Sequence, residues 1–466
     1  MYKKIFSHTA IYGLAPQIPR IAGIFILPII TQYLTEVDFG VYGLIVAVVG
    51  AMTALSNLGL NVVLSNSFYK SPMQHKWAWR QIYGFLILWQ IPYTIMLGLV
   101  IYFIIPEEAA ENTWLIILLN TIPVVLFGPT SFLCAKYYQL QERPMPIAIR
   151  SMLIGFLSIG LNIYFIAVLR MGYIGWFLSV SIAQLCDQIS YWIPLNRKFK
   201  LTPIFNFKRS FIKKQLKISL PSVPHFYSAY LLNTSDRVIM KFTNVTIANI
   251  GLYNVAGTVS SVVQSGVNAS GLAIGPMLLK AYKNKDERLA RNIIFFLQTI
   301  VLFGTFLISL WLKEIFFILI KNDSLQKVYP LGIILIMGYN YRPMYFGANT
   351  RLFYYEKTKD LLKVSFIAGL SNVILNFIFI PIFGYEAAAY TTFFALMYMG
   401  YVGYFLKAYK AHCTLEYHPL KWLSITLLLS AIVYYLVEIP VIYKICISVI
   451  LILVLIFLLK KMIIKF

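Results

Sequence analysis

Apolar runs of about twenty residues recur along the whole of this sequence. A helix of that length crosses the roughly 30 Å hydrocarbon layer of a bilayer. Charged residues make up only 12% of the chain and hydrophobic ones 59%, whereas about a quarter of a soluble domain is charged. The short alternating segments of a membrane β-barrel are not seen in the pattern. We therefore predict an all-α polytopic membrane protein.

The hydropathy pattern predicts about fourteen transmembrane helices. They lie near residues 9–32, 39–66, 82–105, 113–135, 147–169, 173–195, 217–240, 249–278, 292–312, 328–350, 362–383, 387–406, 421–437 and 442–459. Basic residues, including Arg351 through Lys363, concentrate at the termini and in every second connection. The other connections are short, carry most of the acidic residues and hold few basic ones, among them Lys444. Because basic connections stay in the cytoplasm, both termini are expected there.

The formal net charge of +23 does not indicate a nucleic-acid partner, because the basic residues separate apolar segments rather than forming one stripe. The four cysteines lack metal or disulfide spacing. No nucleotide-binding or hydrolase motif is present, so we expect neither an enzyme nor a cofactor. A membrane glycan polymerase would be the alternative from the enzyme class. The short outer connections weigh against it.

Two halves of the chain repeat a pattern. Pro16 and Pro19 precede FGVYG at 39–43, and Pro221 and Pro224 precede IGLYN at 250–254. The segment Asn162–Trp176 similarly resembles Asn376–Tyr390. An even number of helices per copy gives parallel repeats, which in transporters enclose a substrate site. We predict six-helix bundles at 1–195 and 218–408, a basic cytoplasmic linker at 196–217 and two further helices at 409–466.

The linker carries eight basic residues. They are Arg197, Lys198, Lys200, Lys208, Arg209, Lys213, Lys214 and Lys217. Two interpretations remain open. The linker either lies against anionic lipid head groups or binds a cytosolic partner.

Three motifs resemble those of polysaccharide transporters, the Wzx-type flippases of lipid-linked oligosaccharides, in the superfamily that includes the multidrug (MATE) exporters. The matching residues are Pro221, Asn233, Ser235, Asp236, Arg237, Gly251, Tyr253 and Ala256; Phe39, Gly40 and Tyr42; and Asn376, Ile380, Pro381, Gly384, Ala387–Ala389 and Thr391. One departure is Gln32, near a position where the family usually has a basic residue.

The resemblance implies translocation of undecaprenyl-pyrophosphate-linked oligosaccharide, of O-antigen or capsule type, across the inner membrane. It also implies a glycan polymerase and a chain-length regulator as partners. A cation-coupled exporter of small molecules from the same superfamily is the alternative. That exporter would need an anionic cavity.

Three arginines fall inside predicted spans: Arg20, Arg237 and Arg342. An arginine at the centre of a membrane helix costs at least about 2.5 kcal/mol, so such residues seldom face lipid. A guanidinium also forms two parallel hydrogen bonds with phosphate oxygens. We therefore interpret these three as a cationic cavity for the pyrophosphate. The alternative is a structural role, which for Arg237 would be an ion pair with Asp236.

Acidic and titratable residues inside spans suggest a coupling site for a proton or a sodium ion. Asp187 either serves as that site or pairs with an arginine on another helix. Asp236 is a second candidate. His225 titrates near neutral pH in its free form, or it holds a helix start through a hydrogen bond.

Aromatic and amide side chains in the seventh and tenth spans are suited to stacking on sugars and bonding their hydroxyls. These predicted glycan contacts are Tyr227, Tyr230, Asn233, Tyr339, Asn340, Tyr341 and Tyr345. The alternative is an aromatic belt at the membrane interface.

Overall fold

The computed structural model describes residues 17–413 and 415–463, without the side chains of residues 17, 20, 21, 222, 225, 226, 272, 273, 358, 462 and 463. Every regular element in this described part is helical, as predicted. The chain forms two compact units. Unit 1 comprises residues 1–230 and 246–251, and unit 2 comprises residues 231–245 and 252–466. The predicted domain boundaries stay a prediction.

Unit 1 is built from nine helices and the first part of a tenth. They are α1 (Gln17–Ile24), α2 (Leu27–Ile30), α3 (Glu36–Ser56), α4 (Asn61–Lys70), α5 (His75–Ile104), α6 (Thr113–Leu140), α7 (Met145–Asn162), α8 (Gly172–Ile193), α9 (Arg209–Ser219) and α10 (Val223–Asn233). Its core contains an aromatic cluster around Trp79 and Tyr137.

Unit 2 continues with twelve helices. They are α11 (Asp236–Phe242), α12 (Ile247–Lys283), α13 (Glu287–Leu310), α14 (Leu312–Leu319), α15 (Asp323–Gln326), α16 (Tyr329–Gly338), α17 (Tyr341–Tyr354), α18 (Thr358–Phe383), α19 (Ala387–Tyr401), α20 (Lys407–Lys410), α21 (Pro419–Leu436) and α22 (Val441–Ile463). The start of α12 belongs to unit 1.

Nine helical stretches in the described residues are long and apolar enough to cross a membrane. They are Glu36–Lys70, His75–Ile104, Glu107–Leu140, Met145–Val168, Ile247–Lys283, Glu287–Leu310, Lys359–Phe383, Pro419–Leu436 and Val441–Lys461. This confirms a multi-pass membrane protein.

Several predicted spans are interrupted. The tenth breaks between α16 and α17, where Pro343 has no N–H to donate to the carbonyl one turn earlier. The Arg342 N–H bonds the Tyr339 carbonyl instead, at 3.1 Å. The seventh breaks between α10 and α11. The second bends between α3 and α4, where Leu58 and Gly59 have left-handed backbone angles (φ 47° and 67°).

The segment predicted as the basic cytoplasmic linker, 196–217, packs on unit 1. The Ile204 N–H donates to the Arg80 carbonyl at 3.0 Å, and the Lys208 N–H donates to the Gln81 Oε1 at 2.7 Å. Ile212 on α9 is buried in the same core as Trp79. These contacts fix α9 against α5.

Two basic residues that the charge pattern assigned to connections are buried in helices. Arg351 lies in α17 with 1% of its side chain exposed and pairs with Glu287 at 2.9 Å. Lys444 lies in α22, is fully buried and pairs with Glu314 at 2.6 Å. Each charge is compensated by a carboxylate on another helix, which is how a buried cation is tolerated. The pair between Lys444 and Glu314 joins α22 to α14.

Candidate functional site

Helix breaks inside a membrane matter because they leave backbone groups unpaired. Such breaks are tolerated where the chain is buried or lines a cavity, and transporters bind substrates and ions there.

In unit 1, a cavity of about 310 Å³ lies beside the bend between α3 and α4. Its walls are Gly50, Ala51, Thr53, Ala54, Asn57, Gly59, Asn61, Phe132, Tyr227 and Tyr230. The glycines and alanines among these residues have small side chains and therefore leave the cavity open. The cavity therefore has room for a ligand fragment about as large as a single sugar ring.

The walls of the unit 1 cavity combine aromatic faces with amides. The rings of Tyr227 and Tyr230 lie 6.4 Å apart and nearly perpendicular. The Oδ1 of Asn61 is buried and has no hydrogen-bond partner among the described residues. An aromatic face beside unused hydrogen-bonding groups suits a polyhydroxylated ligand. The sequence reasoning named both tyrosines but missed Asn61; the NLGLN run at 57–61 was the available signal.

In unit 2, Arg342 lies just after the break between α16 and α17. Its guanidinium carbon lies 5.5 Å from the ring centres of Tyr341 and Tyr345 and 5.2 Å from that of Phe346. Its Nη1 donates to the Tyr341 hydroxyl at 2.5 Å. Its Nε is buried without a partner among the described residues. Three rings therefore hold the cation while leaving hydrogen-bonding capacity for an anion.

Asn340 occupies the same break and is fully buried. Its Nδ2 donates to the Thr305 hydroxyl at 2.8 Å, and its backbone carbonyl accepts from the Gln298 Nε2 at 3.1 Å. Tyr339 beside it is also buried. Asn233 is exposed at the end of α10, where it accepts a hydrogen bond from Gln264. The predicted glycan contacts thus fall in different places: two in the unit 1 cavity, four around the α16–α17 break, and Asn233 apart.

Asp236 follows the break between α10 and α11 and forms the centre of a buried polar cluster in unit 2. Its carboxylate accepts from the Tyr253 hydroxyl at 2.6 Å and the Thr392 hydroxyl at 3.1 Å. It also accepts from the amides of Asn372 and Asn376, at 2.9 and 2.8 Å. Four donors and the first turn of a helix stabilise a negative charge at this buried position. We call these five residues the Asp236 cluster.

The remaining predicted residues lie elsewhere. Arg237 donates from Nε to the Asn254 Oδ1 at 2.8 Å, and its guanidinium lies over the Tyr253 ring. Asp187 on α8 is partly buried, and its carboxylate interacts electrostatically with the positive charge of Arg150 on α7. Arg20 lies in α1 and His225 in α10, but both side chains are outside the described part of the structure.

Apolar helices broken at buried polar clusters are the architecture in which membrane transporters bind substrates and ions. The sequence profile of the family described as polysaccharide biosynthesis protein matches residues 3–282. The chain therefore belongs to that family. Among proteins of curated function, none matches this sequence.

Solved structures of related architecture are transporters and a flippase of the MOP superfamily. The fold is similar to the lipid II flippase MurJ in an inward closed conformation, with a TM-score of 0.68 and 14% identity over 92% of this chain and 97% of that one. It is also similar to a MOP superfamily transporter from Pyrococcus furiosus, with a TM-score of 0.57 and 13% identity over 86% and 93% of the two chains. A Vibrio cholerae MATE transporter matches with a TM-score of 0.53 and 14% identity over 88% and 96%.

Proposed function

We propose that this protein is a flippase for undecaprenyl-pyrophosphate-linked oligosaccharide repeat units, of O-antigen or capsule type. It would carry them across the bacterial inner membrane by alternating access. Membership of a polysaccharide biosynthesis family supports the glycan, and a fold shared with a lipid II flippase supports a lipid-linked substrate.

The observation that carries this proposal is Arg342. Its guanidinium is held by three aromatic rings, and its Nε is buried without a partner among the described residues. A buried donor on a cation is costly when unpaired, and an anion would complete it. A pyrophosphate fits, because guanidinium binds phosphate oxygens through two parallel hydrogen bonds. Arg20 and Arg237 are proposed to add positive charge.

The unit 1 cavity is proposed to hold part of the glycan. Tyr227 and Tyr230 offer aromatic faces, and Asn61 offers an unused amide oxygen to a sugar hydroxyl. In unit 2, Tyr341 and Tyr345 are proposed to contact the first sugar beside a phosphate bound at Arg342.

The Asp236 cluster is proposed as the coupling site. A buried carboxylate among hydroxyl and amide groups has the oxygen-rich chemistry at which broken membrane helices bind sodium or a proton. The residues present fit such a cation. Asp236, Asn372, Asn376 and Thr392 would supply the oxygens once the amides present theirs. Asp187 is the second carboxylate for this role.

The topology completes the proposal. Fourteen transmembrane helices with both termini in the cytoplasm orient transport from the cytoplasmic to the periplasmic leaflet. A glycan polymerase and a chain-length regulator would act next on the product.

The test is the leaflet location of lipid-linked oligosaccharide in cells that lack this protein. Wild type should relieve its cytoplasmic accumulation, whereas Arg342→Ala should not. Arg342→Lys should restore flipping only in part, since an ammonium lacks the planar fork. Arg288→Ala is the matched control, because that arginine is exposed on α13.

Two outcomes would count against the proposal. Oligosaccharide that reaches the outer leaflet without this protein or a redundant carrier removes the flippase function. Flipping by Arg342→Ala at the rate of Arg288→Ala removes the phosphate-binding role. Efflux of small cations that depends on Asp236 but not on Arg342 would point to the cation-coupled exporter.

A further inference from the structure

A groove of about 600 Å³ runs along α9 in unit 1, on the predicted cytoplasmic side. One wall is apolar and is made by Phe85, Phe207, Leu216 and Leu220. Phe85 belongs to α5, ten residues or about 15 Å along the helix from His75. Phe85 therefore puts one residue of this wall on a membrane-spanning helix, just inside the span predicted at 82–105.

The rim of the groove is basic. Arg209, Lys213 and Lys217 line it and are exposed. Their four-residue spacing puts them on one face of α9, where each pair of like charges destabilises the helix. Arg209 also places a positive charge at the helix start, where the helix dipole favours an anion. We call Arg209, Lys213 and Lys217 the basic stripe. The described contacts of α9 include no acidic residue that would neutralise its positive charge.

The stripe is held in a fixed position. Ile212, which also lines the groove, is buried in the unit 1 core, and Phe211 on the opposite side of α9 packs edge-on against Trp77 with ring centres 5.1 Å apart. The preceding backbone is bonded to Gln81. The three cations are therefore presented together beside the groove rather than on a mobile loop.

We propose that this groove binds an anionic phospholipid as a resident ligand. Its phosphate would lie against Arg209, Lys213 and Lys217, and one acyl chain would lie along Phe85, Phe207, Leu216 and Leu220. Charge complementarity selects the anionic head group, and the apolar wall that follows a membrane helix selects an acyl chain. A peptide from a cytosolic partner would match the basic rim, but it would not need an apolar wall that reaches a membrane-spanning helix. This inference is independent of which substrate the protein transports.

The experiment uses the full chain in lipid vesicles with spin-labelled phosphatidylglycerol or phosphatidylcholine, the label being placed on the acyl chain. Wild type should immobilise phosphatidylglycerol preferentially. A cation near a lipid phosphate contributes about a fivefold preference, so Lys213→Gln with Lys217→Gln should lower the preference by tenfold or more. The matched control is Lys198→Gln with Lys200→Gln. That pair removes the same charge from exposed positions of the same segment, outside the groove.

A second variant separates an acyl-chain site from a charged surface. Leu220 is 45% exposed at the groove wall, so Leu220→Trp fills space without changing charge. It should reduce the immobilised fraction of phosphatidylglycerol at least threefold, and millimolar inorganic pyrophosphate should not displace the lipid from wild type.

Several results would overturn the proposal. They are an equal loss in the control pair, no lipid preference in wild type, or an unchanged immobilised fraction in Leu220→Trp. Displacement by pyrophosphate would mean a site for soluble anions. Loss of function in the lysine variant with unchanged lipid selectivity would mean a docking surface for a protein partner.

Discussion

Corresponding positions in the two units share a backbone pattern but differ in chemistry. Tyr42 in unit 1 and Tyr253 in unit 2 both follow a Gly-x step. The Tyr42 ring stacks on Trp176, with centres 4.2 Å apart and planes 1° from parallel. The Tyr253 hydroxyl instead donates to the Asp236 carboxylate. One copy of the motif uses the ring and the other uses the hydroxyl.

The paired asparagines differ in the same direction. Asn162 in unit 1 is buried with its Oδ1 unpartnered among the described residues. Asn376 in unit 2 donates to Asp236 and accepts from the Thr391 hydroxyl. The sequence pattern is therefore repeated, whereas among the described residues the Asp236 cluster is built onto the unit 2 copy alone. The unit 1 cavity, in contrast, is lined by uncharged residues.

The largest expected effect comes from removing the carboxylate. Asp236→Ala leaves four buried donors without their acceptor, and breaking a buried charged network typically costs about 3–5 kcal/mol. We expect the free energy of unfolding, measured by titrating micelles with a denaturing detergent, to fall by that amount. Asn162→Ala, the unit 1 comparison, should cost less than about 1.5 kcal/mol. Equal losses would mean that the two units do not differ in this way.

A smaller loss of stability is expected at Gly40 and Gly251, the two glycines of the repeated Gly-x-Tyr pattern. A Cβ on Gly40 would lie 2.0 Å from the Ile247 carbonyl oxygen, and one on Gly251 would lie 1.8 Å from the Glu36 carbonyl oxygen. All four residues belong to unit 1, and the two glycines are equivalent in the repeat. Because the clashing atoms are backbone, each helix must shift. Gly40→Ala and Gly251→Ala should each destabilise by about 3 kcal/mol, at the upper end for overpacking.

The control for that pair is Gly160→Ala on α7, where nothing lies within 4 Å of the added methyl. It should be neutral or stabilise by up to about 1 kcal/mol, since alanine is the better helix former. If only one of Gly40 and Gly251 proves sensitive, their packing roles are not equivalent. The measurement is the same detergent titration.

The tyrosines give a more selective test of the comparison. Tyr253→Phe removes one hydrogen bond to a buried carboxylate, which costs about 1.5–3 kcal/mol. Tyr42→Phe keeps the stacked ring and should change stability by less than about 0.5 kcal/mol. Both substitutions delete the same atom. A Tyr42→Phe loss as large as that of Tyr253→Phe would show that its hydroxyl, not its ring, is the important group.

Much of the fold could be predicted from the sequence, because apolar length alone specifies a membrane helix. Pro343 inside the tenth predicted span was an available signal for the break beside Arg342. The Asp236 cluster could not be assembled this way. Its partners Asn372 and Thr392 lie 136 and 156 residues away along the chain, so no local spacing connects them.

The buried charges show a second limit of sequence reasoning. Arg351 and Lys444 were assigned to connections because a charge normally ends an apolar segment. Each is instead inside a helix and paired with a glutamate far along the chain. A hydropathy scale scores each residue separately. A buried cation is stable only beside a carboxylate, and that carboxylate is brought close by the tertiary structure.

The smallest expected effect concerns an exposed contact that joins the last two helices to the rest of unit 2. Glu438 accepts from the Lys313 ammonium at 2.5 Å and from the Tyr329 hydroxyl. Those two hydrogen bonds, the lysine first, lower the pKa of Glu438 below its ordinary value. Since more than half of its side chain is exposed, Glu438→Gln should cost only about 0.2–1 kcal/mol, less at high salt.

The pH dependence of that variant follows from the lowered pKa. The ionised form is favoured in the folded state, so the contribution of Glu438 is fully present above about pH 4.3, the ordinary glutamate pKa. It is lost as the pH falls through the lower pKa of the folded state. The difference in thermal unfolding midpoint between wild type and Glu438→Gln should therefore be constant near neutral pH and shrink in acid. A difference that grows in acid would show that the contact does not favour the ionised carboxylate, and that Glu438 stabilises these helices by packing alone.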